Sequence, residues 1–249
     1  MVDTVLEARV AAVRQKISQA CMRAGRLAHE VTLIGVTKTF PDTVIDSARR
    51  SGLRDLGENK VQELQEKAHR FPGEIQGGDL RWHMIGHLQR NKVKDLISCI
   101  EVFHGLDSLR LALEIEKRAA AVGRILDCLV QVNVSKEGSK FGIAPEETHV
   151  FLDALAGFTH VRIIGLMTLA SPADDPQDVR PQFRLLRELR DAYEAPSPSS
   201  VALKELSMGM SSDFEVAVEE GATMVRIGST LFGERIEFNS SPMKPRNEK

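Results

Sequence analysis

A lysine ends the first strongly apolar segment of the sequence, in the stretch GVTK at residues 35–38. Desolvation disfavours an ammonium ion, so a lysine at the edge of an apolar interior has a lowered pKa and can form a Schiff base with a carbonyl compound. A lysine at the end of a strand more often extends its charge into solvent. Lys38 is therefore a candidate nucleophile only if other reactive or binding groups accompany it.

Two turns near the C-terminus have the composition of phosphate-binding loops. They are SMGMSSD at residues 207–213 and RIGST at residues 226–230. Glycine lets the backbone approach a phosphate closely, hydroxyl groups donate hydrogen bonds, and free N–H groups at the start of a helix attract anions. Each turn alone is typical of an ordinary helix cap. Together with the lysine they predict a phosphate site that includes Ser207, Gly228 and Ser229.

Other motifs argue against several alternative chemistries. His83 and His87 have a spacing compatible with metal binding, but Gly86 lies between them and no carboxylate or thiol cluster joins them, so we expect no metal site. The sequence contains neither a Walker A nor a GxGxxG motif, and Ser207 does not lie in a GxSxG nucleophile elbow.

A repeated strand and helix pattern must position these groups. The pattern predicts strands at residues 31–38, 54–57, 80–85, 101–104, 125–134, 161–169, 205–208 and 223–227. It predicts helices after them at residues 41–50, 60–69, 88–97, 108–122, 145–156, 181–193, 214–220 and 229–234. Eight such units in about 200 residues predict an α/β fold, a closed (β/α)8 TIM barrel whose functional groups lie at the C-terminal ends of the strands. An open doubly wound sheet is the alternative.

The chain begins with a further helix and ends in a polar segment. Leu6, Val10, Val13, Ile17 and Cys21 recur every three or four residues, which predicts an extra amphipathic helix packed on the barrel. We expect one domain over residues 1–238 and a flexible tail over residues 239–249.

Composition limits the classes of partner and the compartment. The 249 residues include 33 Lys+Arg and 35 Asp+Glu, a net charge of −2 that does not favour nucleic-acid binding. We expect no membrane association, because no stretch approaches the ~18 uninterrupted apolar residues of a membrane span. Three cysteines without a CxxC motif fit a reducing compartment, and the N-terminal residues resemble neither a secretory nor a transit peptide, so we expect a cytoplasmic protein.

Seven ordered motifs resemble those of the pyridoxal 5′-phosphate (PLP) homeostasis proteins, which are related to the N-terminal barrel of alanine racemase. The resemblance covers about residues 31–235 and rests on VTKT, GENKVQE, WHMIGHLQRNK, VSKEGSKFG, GLMT, ELSMGMSSDF and VRIGSTLFGER. The sequence departs from the family at Leu56, where an aromatic residue is frequent, and at Lys60, where tyrosine is frequent. Both departures affect only the local wall of the pocket.

The resemblance implies a complete PLP site. Lys38 would hold PLP as an internal aldimine, and Arg226 would face the pyridine nitrogen. The residues implied in phosphate binding are Ser207, Gly228 and Ser229, and those implied in lining the cofactor are Asn59, His83 and Met167. Because arginine, with a pKa above ~12, cannot give the ring nitrogen a proton, the bound ring would be a weak electron sink.

Three functions are compatible with such a site. We favour PLP homeostasis, meaning storage, buffering or delivery of the cofactor, with PLP-dependent apoenzymes as the recipients this role implies and with no robust catalytic activity. A PLP-dependent amino-acid racemase needs a second acid or base, and the only tyrosine, Tyr193, falls in the sixth barrel helix of the predicted series. A class I aldolase would need a group such as Lys136 or Lys140 beside Lys38. Near-neutral charge is compatible with a monomer or a weak dimer.

Overall fold

Eight parallel strands close into a single barrel in the computed structural model, which describes residues 4–135 and 141–233. Each strand pairs with its neighbours in chain order, and the eighth pairs with the first. The strands are β1 Thr32–Val36, β2 Asp55–Glu58, β3 Arg81–Met84, β4 Val102–Leu106, β5 Leu126–Gln131, β6 Val161–Met167, β7 Val201–Ser207 and β8 Met224–Ile227. The predicted (β/α)8 barrel is confirmed, and the open doubly wound sheet is excluded.

A helix follows every strand, and one more helix precedes the barrel. The α-helices are α1 Thr4–Arg23, α2 Asp42–Arg50, α3 Val61–Arg70, α4 Val93–Leu96, α5 Leu109–Ala121, α6 Thr148–Leu155, α7 Arg180–Asp191, α8 Phe214–Glu219 and α9 Ser229–Phe232. Short 3-10 turns lie at Ala28–Glu30, Glu74–Gln76, Arg90–Lys92, Pro145–Glu147 and Pro176–Val179.

Several elements differ in length from the sequence prediction, and the clearest cases are the third barrel helix and the strand β7. The predicted helix over residues 88–97 is a 3-10 turn followed by the short helix α4. It ends early because the buried side chains of Ile97 and Ile100 follow at once and lead the chain into β4. The strand β7 begins four residues before the predicted start at residue 205, since the polar side chains of Lys204 and Glu205 obscure its apolar pattern.

The N-terminal helix α1 packs on the last two helices of the barrel. Its buried face is the predicted one, extended by Ala20, and it packs against α8 and α9. At its end, Arg23 Nε lies 2.6 Å from a Glu219 carboxylate oxygen. Arg26 donates hydrogen bonds to the carbonyl oxygens of Val218 and Ala222 at 2.8 and 2.9 Å. The helix therefore braces the last βα units of the barrel.

The barrel interior is more polar than the layer between strands and helices. Val102, Leu129 and Met167 form a small buried cluster that is separate from the main aliphatic core. Successive side chains of a strand point to opposite faces. A residue two positions from a member of this cluster therefore also faces the barrel interior. His104, two residues after Val102 in β4, is one of the buried polar side chains on this interior face.

The cysteines, the apolar character of the helices and the C-terminal tail were also subjects of prediction. Cys21, Cys99 and Cys128 are free and buried. Across residues 4–135 and 141–233, no helix has the length and apolar character of a membrane span. The predicted tail at residues 239–249 lies outside the described residues.

Candidate functional site

The C-terminal ends of the strands surround an open cavity of about 730 Å³. This is the end at which TIM barrels carry their functional groups. Five of the eight residues predicted for the site line this cavity: Lys38, Asn59, Arg226, Gly228 and Ser229. Much of the remaining wall is apolar and comes from Val36, Phe40, Ile85, Leu169, Ala170, Pro172 and Met210.

The turn that carries Lys38 is held by two contacts from helix α3. It begins at Thr37, whose carbonyl oxygen accepts a hydrogen bond from Lys67 Nζ at 2.7 Å. It continues into Thr39, which has a left-handed backbone with φ of 66°. The Thr39 N–H donates to the carboxylate of Glu63 at 2.9 Å. A conformation that is costly for a β-branched residue is thus maintained by contacts from α3, and it orients the lysine into the cavity.

A buried ion pair beside this turn was not predicted from the sequence. Lys67 Nζ and Thr37 Oγ1 both donate to Glu58 Oε1 at 2.6 Å. Burial raises the pKa of the Glu58 carboxyl, while Lys67 and Thr37 partly offset that effect. Its second oxygen, Oε2, is buried without a hydrogen-bond partner within the described residues. Glu58 ends β2 and Thr37 follows β1, so the pair connects the ends of these two strands. Its signal in the sequence was a carboxylate at the end of the short segment DLGE.

Asn59 is positioned by a close approach of the β3 loop. A Cβ atom on Gly86 would lie 2.2 Å from the carbonyl oxygen of Asn59 and 2.8 Å from its Cα atom. Only glycine leaves room for this contact between two backbones. The neighbouring Ile85 can therefore reach the cavity beside Asn59.

The two predicted phosphate turns meet at Ser211. Its hydroxyl oxygen accepts long hydrogen bonds from the backbone N–H groups of Gly228 at 3.4 Å and Thr230 at 3.5 Å. The preceding Gly209 has φ of 93°, a left-handed conformation, and its Cβ would lie 2.6 Å from Ala217. An anion in this corner would find the hydroxyls of Ser211 and Ser229 beside these N–H groups. Sequence reasoning overlooked Ser211 although it lies in the same SMGMSSD motif.

Arg226 forms the polar floor of the cavity. Its guanidinium donates from Nη1 to Ser207 Oγ at 2.5 Å and from Nη2 to the Thr168 carbonyl oxygen at 2.8 Å. Burial lowers the pKa of Arg226 to about 10, against an opposing effect of Asp213. The side chain therefore remains a cation at neutral pH.

The other three residues predicted for the site do not line the cavity. Ser207 pairs in register with Met167 and with Met224, two residues before Arg226, and so lies one layer deeper in the barrel. Met167 packs in the small interior cluster, and His83 is fully buried. Ser207 Oγ contacts Arg226, and its expected contact with a phosphate stays a prediction.

These deeper polar groups form a continuous hydrogen-bonded chain. Ser207 Oγ lies 2.9 Å from His104 Nδ1, and His104 Nε2 lies 2.9 Å from His83 Nδ1. The other nitrogen of His83, Nε2, lies 3.0 Å from Asp55 Oδ1. Both imidazoles are completely buried. His104 was not identified from the sequence, where its signal was a single imidazole inside the apolar strand VFHGL.

Few groups around the cavity can exchange protons. Among its described lining residues, Lys38 and Arg226 are the titratable ones. Tyr193 lies elsewhere and donates from its hydroxyl to Asp153 at 3.0 Å. Burial and Asp153 raise the pKa of Tyr193 to about 12. Lys136 and Lys140, considered for an aldolase, lie outside the described residues.

His87 has a different environment from that expected of a metal ligand. Its ring stacks on Phe141 with a centroid separation of 4.1 Å, and its Nδ1 lies 3.6 Å from Asp107. Within the described parts of the chain, no cluster of three His, Cys, Asp or Glu side chains has the arrangement of a metal site.

This barrel, with a lysine after the first strand and an arginine in the eighth, belongs to a known class. A family model for the alanine racemase N-terminal domain matches residues 9–236. An alanine racemase of Clostridium difficile 630 has the same fold, with a TM-score of 0.68 and 18% identity over 94% of this chain and 58% of its own. At that identity the likeness concerns the fold alone.

Within that class, the chain belongs to the pyridoxal phosphate homeostasis protein family. It is 46% identical to the protein of that name from Aquifex aeolicus, over 91% of this chain and 97% of the relative. It is 38% identical to the human protein, over 93% of this chain and 86% of the relative. The structure of PipY from Synechococcus elongatus with PLP bound matches it with a TM-score of 0.75 and 33% identity, over 92% of this chain and 100% of that one.

Proposed function

We propose that this protein binds PLP through a Schiff base on Lys38 and serves to store, buffer or deliver the cofactor. One observation carries the proposal: Lys38, Arg226 and the Ser211–Gly228 corner converge on one cavity at the C-terminal end of the barrel. PLP combines an aldehyde, a pyridine nitrogen and a phosphate. The cavity offers one suitable group to each of these three features.

The arrangement of these groups fits the cofactor. The phosphate would lie at the corner of Ser211, Gly228 and Ser229, where N–H groups and hydroxyls can donate to it. Arg226 would face the pyridine nitrogen, and Lys38 would face the aldehyde. We propose that Ser207 and His83, which were expected to touch the cofactor, act one layer below by supporting Arg226. Met167 completes the apolar packing of that layer.

Arg226 favours a carrier over a catalyst. PLP supplies an electron sink for carbanion chemistry, and protonation of its pyridine nitrogen strengthens that sink. The Arg226 side chain is a cation at neutral pH and can only donate hydrogen bonds. It therefore holds the nitrogen in its unprotonated form, which suits retention of the cofactor more than activation of a substrate.

The small number of titratable groups supports the same choice. A racemase needs an acid or base on each face of the substrate, and Tyr193 is bound to Asp153 away from the cavity. An aldolase would need a carboxylate or a second amine beside Lys38, and the described lining has neither. We propose that the recipients of PLP are PLP-dependent apoenzymes inside the cell.

Reduction of the bound cofactor tests the covalent step. The purified protein, incubated with PLP, should show a visible absorption band, and borohydride should fix the label on the peptide containing Lys38. Lys38→Ala should abolish this reducible adduct. Lys94→Ala removes an exposed lysine of α4 and should behave as wild type. Fixation of PLP on another lysine of the wild-type protein would contradict the assignment.

Amino-acid racemisation tests the carrier role separately. The PLP-loaded protein should form D-amino acids far more slowly than a dedicated racemase. A rate comparable to that of such an enzyme would establish a catalyst and overturn the carrier role, while leaving the Lys38 assignment intact.

A further inference from the structure

The buried hydrogen-bonded chain below the cavity has one direction when both of its imidazoles are neutral. At one end, the Arg226 guanidinium can only donate hydrogen bonds, and at the other the Asp55 carboxylate can only accept them. Ser207 Oγ accepts from Arg226 Nη1, and in this direction its own proton is donated to His104 Nδ1. His104 then donates from Nε2 to His83 Nδ1. His83 donates from Nε2 to Asp55.

This direction implies one tautomer for both imidazoles. As a neutral ring, each histidine uses Nδ1 as an acceptor and Nε2–H as a donor, and every contact of the chain is then a hydrogen bond. Burial, the neighbouring His83 and the charge of Arg226 hold the pKa of His104 well below its usual range. The opposite direction would have an Nδ1–H on each ring, with His83 donating to His104 Nε2 and His104 donating to Ser207 Oγ.

The chain crosses the interior from one end of the barrel to the other. Asp55 is the first residue of β2 and borders a separate cavity of about 450 Å³ that Arg14, His29 and Arg54 also line. The Arg81 guanidinium lies 3.5 Å from the same carboxylate. The charged groups that face the histidines are therefore Asp55 and Arg81 at this end and Arg226 at the cofactor end.

We infer that His104, His83 and Asp55 are positioning residues for Arg226, and that they set how its charge acts on bound PLP. This inference rests on the proposed function. The chain presents the Ser207 hydroxyl to Arg226 as an oriented acceptor, so the guanidinium has one fixed direction toward the cavity. An isolated serine hydroxyl could rotate, whereas one whose proton is bound by His104 cannot do so without breaking a buried hydrogen bond.

Variants that interrupt the hydrogen-bonded chain should change the titration of bound PLP. We expect His104→Phe and Ser207→Ala to bind PLP with wild-type stoichiometry, and to shift the pH midpoint of its visible absorption by about 0.5–1 unit, the scale of a lost charge-assisted contact. His104→Gln retains an acceptor and a donor and should shift the midpoint less. Leu129→Met is the control, because it lies in the interior cluster and conserves volume.

Absence of a shift would overturn the inference. PLP bound to the folded variants His104→Phe and Ser207→Ala could titrate with the same midpoint as in wild type and in Leu129→Met. In that case the histidines would have only a packing role. Ser207→Ala removes one oxygen and keeps the experiment informative if the larger change at His104 prevents folding.

A measurement on the protein without PLP separates this inference from the proposed function. Nitrogen-15 NMR of labelled histidines should show His83 and His104 as neutral Nε2–H tautomers at neutral pH. Detection of an Nδ1–H tautomer or of an imidazolium at either residue would contradict the assigned direction of the hydrogen-bonded chain. Failure of the wild-type protein to bind PLP would instead refute the proposed function, while the NMR result would stand.

Discussion

Lys67 Nζ lies 2.6 Å from Glu58 Oε1 and, with the same ammonium, binds the carbonyl oxygen of Thr37 immediately before Lys38. Both partners of this ion pair are buried. Helix α3 and the ends of β1 and β2 thereby depend on one pair of charges. The pair connects the stability of the barrel to the placement of its reactive lysine.

Lys67→Met should destabilise the protein by roughly 3–5 kcal/mol, because it leaves Glu58 buried without its counter-charge. Urea unfolding measures this loss. The double variant Glu58→Gln/Lys67→Met should recover much of it, since neither charge then remains buried. A Lys67→Met protein as stable as wild type would show that the pair has no structural role.

Ser229→Asp should prevent PLP binding without unfolding the protein. Ser229 is exposed at the start of α9, and a carboxylate there would repel the phosphate while removing a donor. Ser229→Asn is the neutral control and should retain most of the affinity. Titration of both apoproteins with PLP compares them directly, and equal affinity of Ser229→Asp and wild type would place the phosphate elsewhere.

Glu116 should contribute stability that depends on pH. Burial raises the pKa of its carboxyl, but hydrogen bonds from Thr159 and His160 outweigh this effect and lower that pKa from 4.5 to about 2. A lowered pKa means that the contribution is present above pH 4.5 and disappears as the pH falls toward 2. Glu116→Gln should therefore be less stable than wild type at neutral pH, and the difference should shrink over this interval.

Unfolding curves at several pH values measure that difference. Glu114→Gln is the control, since Glu114 forms an i,i+4 ion pair with Arg118 on the same helix and such pairs contribute little. A Glu116→Gln difference that stayed constant down to pH 2 would contradict the assigned pKa.

Gly86→Ala should weaken PLP binding and destabilise the barrel by roughly 1–3 kcal/mol, the cost of forcing extra volume into a packed site. Its Cβ would meet the backbone of Asn59, which cannot yield as a side chain can. Gly157→Ala is the matched control, because nothing lies within 4 Å of a Cβ at that position. Thermal unfolding should show a lower melting temperature for Gly86→Ala than for Gly157→Ala, and PLP titration should show a weaker affinity.

Much of the fold follows from local patterns in the sequence. Apolar β-branched segments alternating with amphipathic ones predict all eight strands and the brace formed by α1. Strand β7 shows the limit of this approach, because Lys204 and Glu205 mask its first half. The short α4 shows the same limit, since the path into β4 determines its length.

The barrel, the position of Lys38 after β1 and the two turns near the C-terminus follow from the amino-acid sequence alone, because each depends on residues close together in the chain. The depth of each polar group depends instead on how the strands pair. Strand register places Ser207 below the cavity, whereas Ser211, in the loop after β7, lies at its edge, although both belong to one motif. Closure of the barrel brings His104 to Ser207 across 103 residues, and no local pattern encodes a contact that arises when distant strands share one interior.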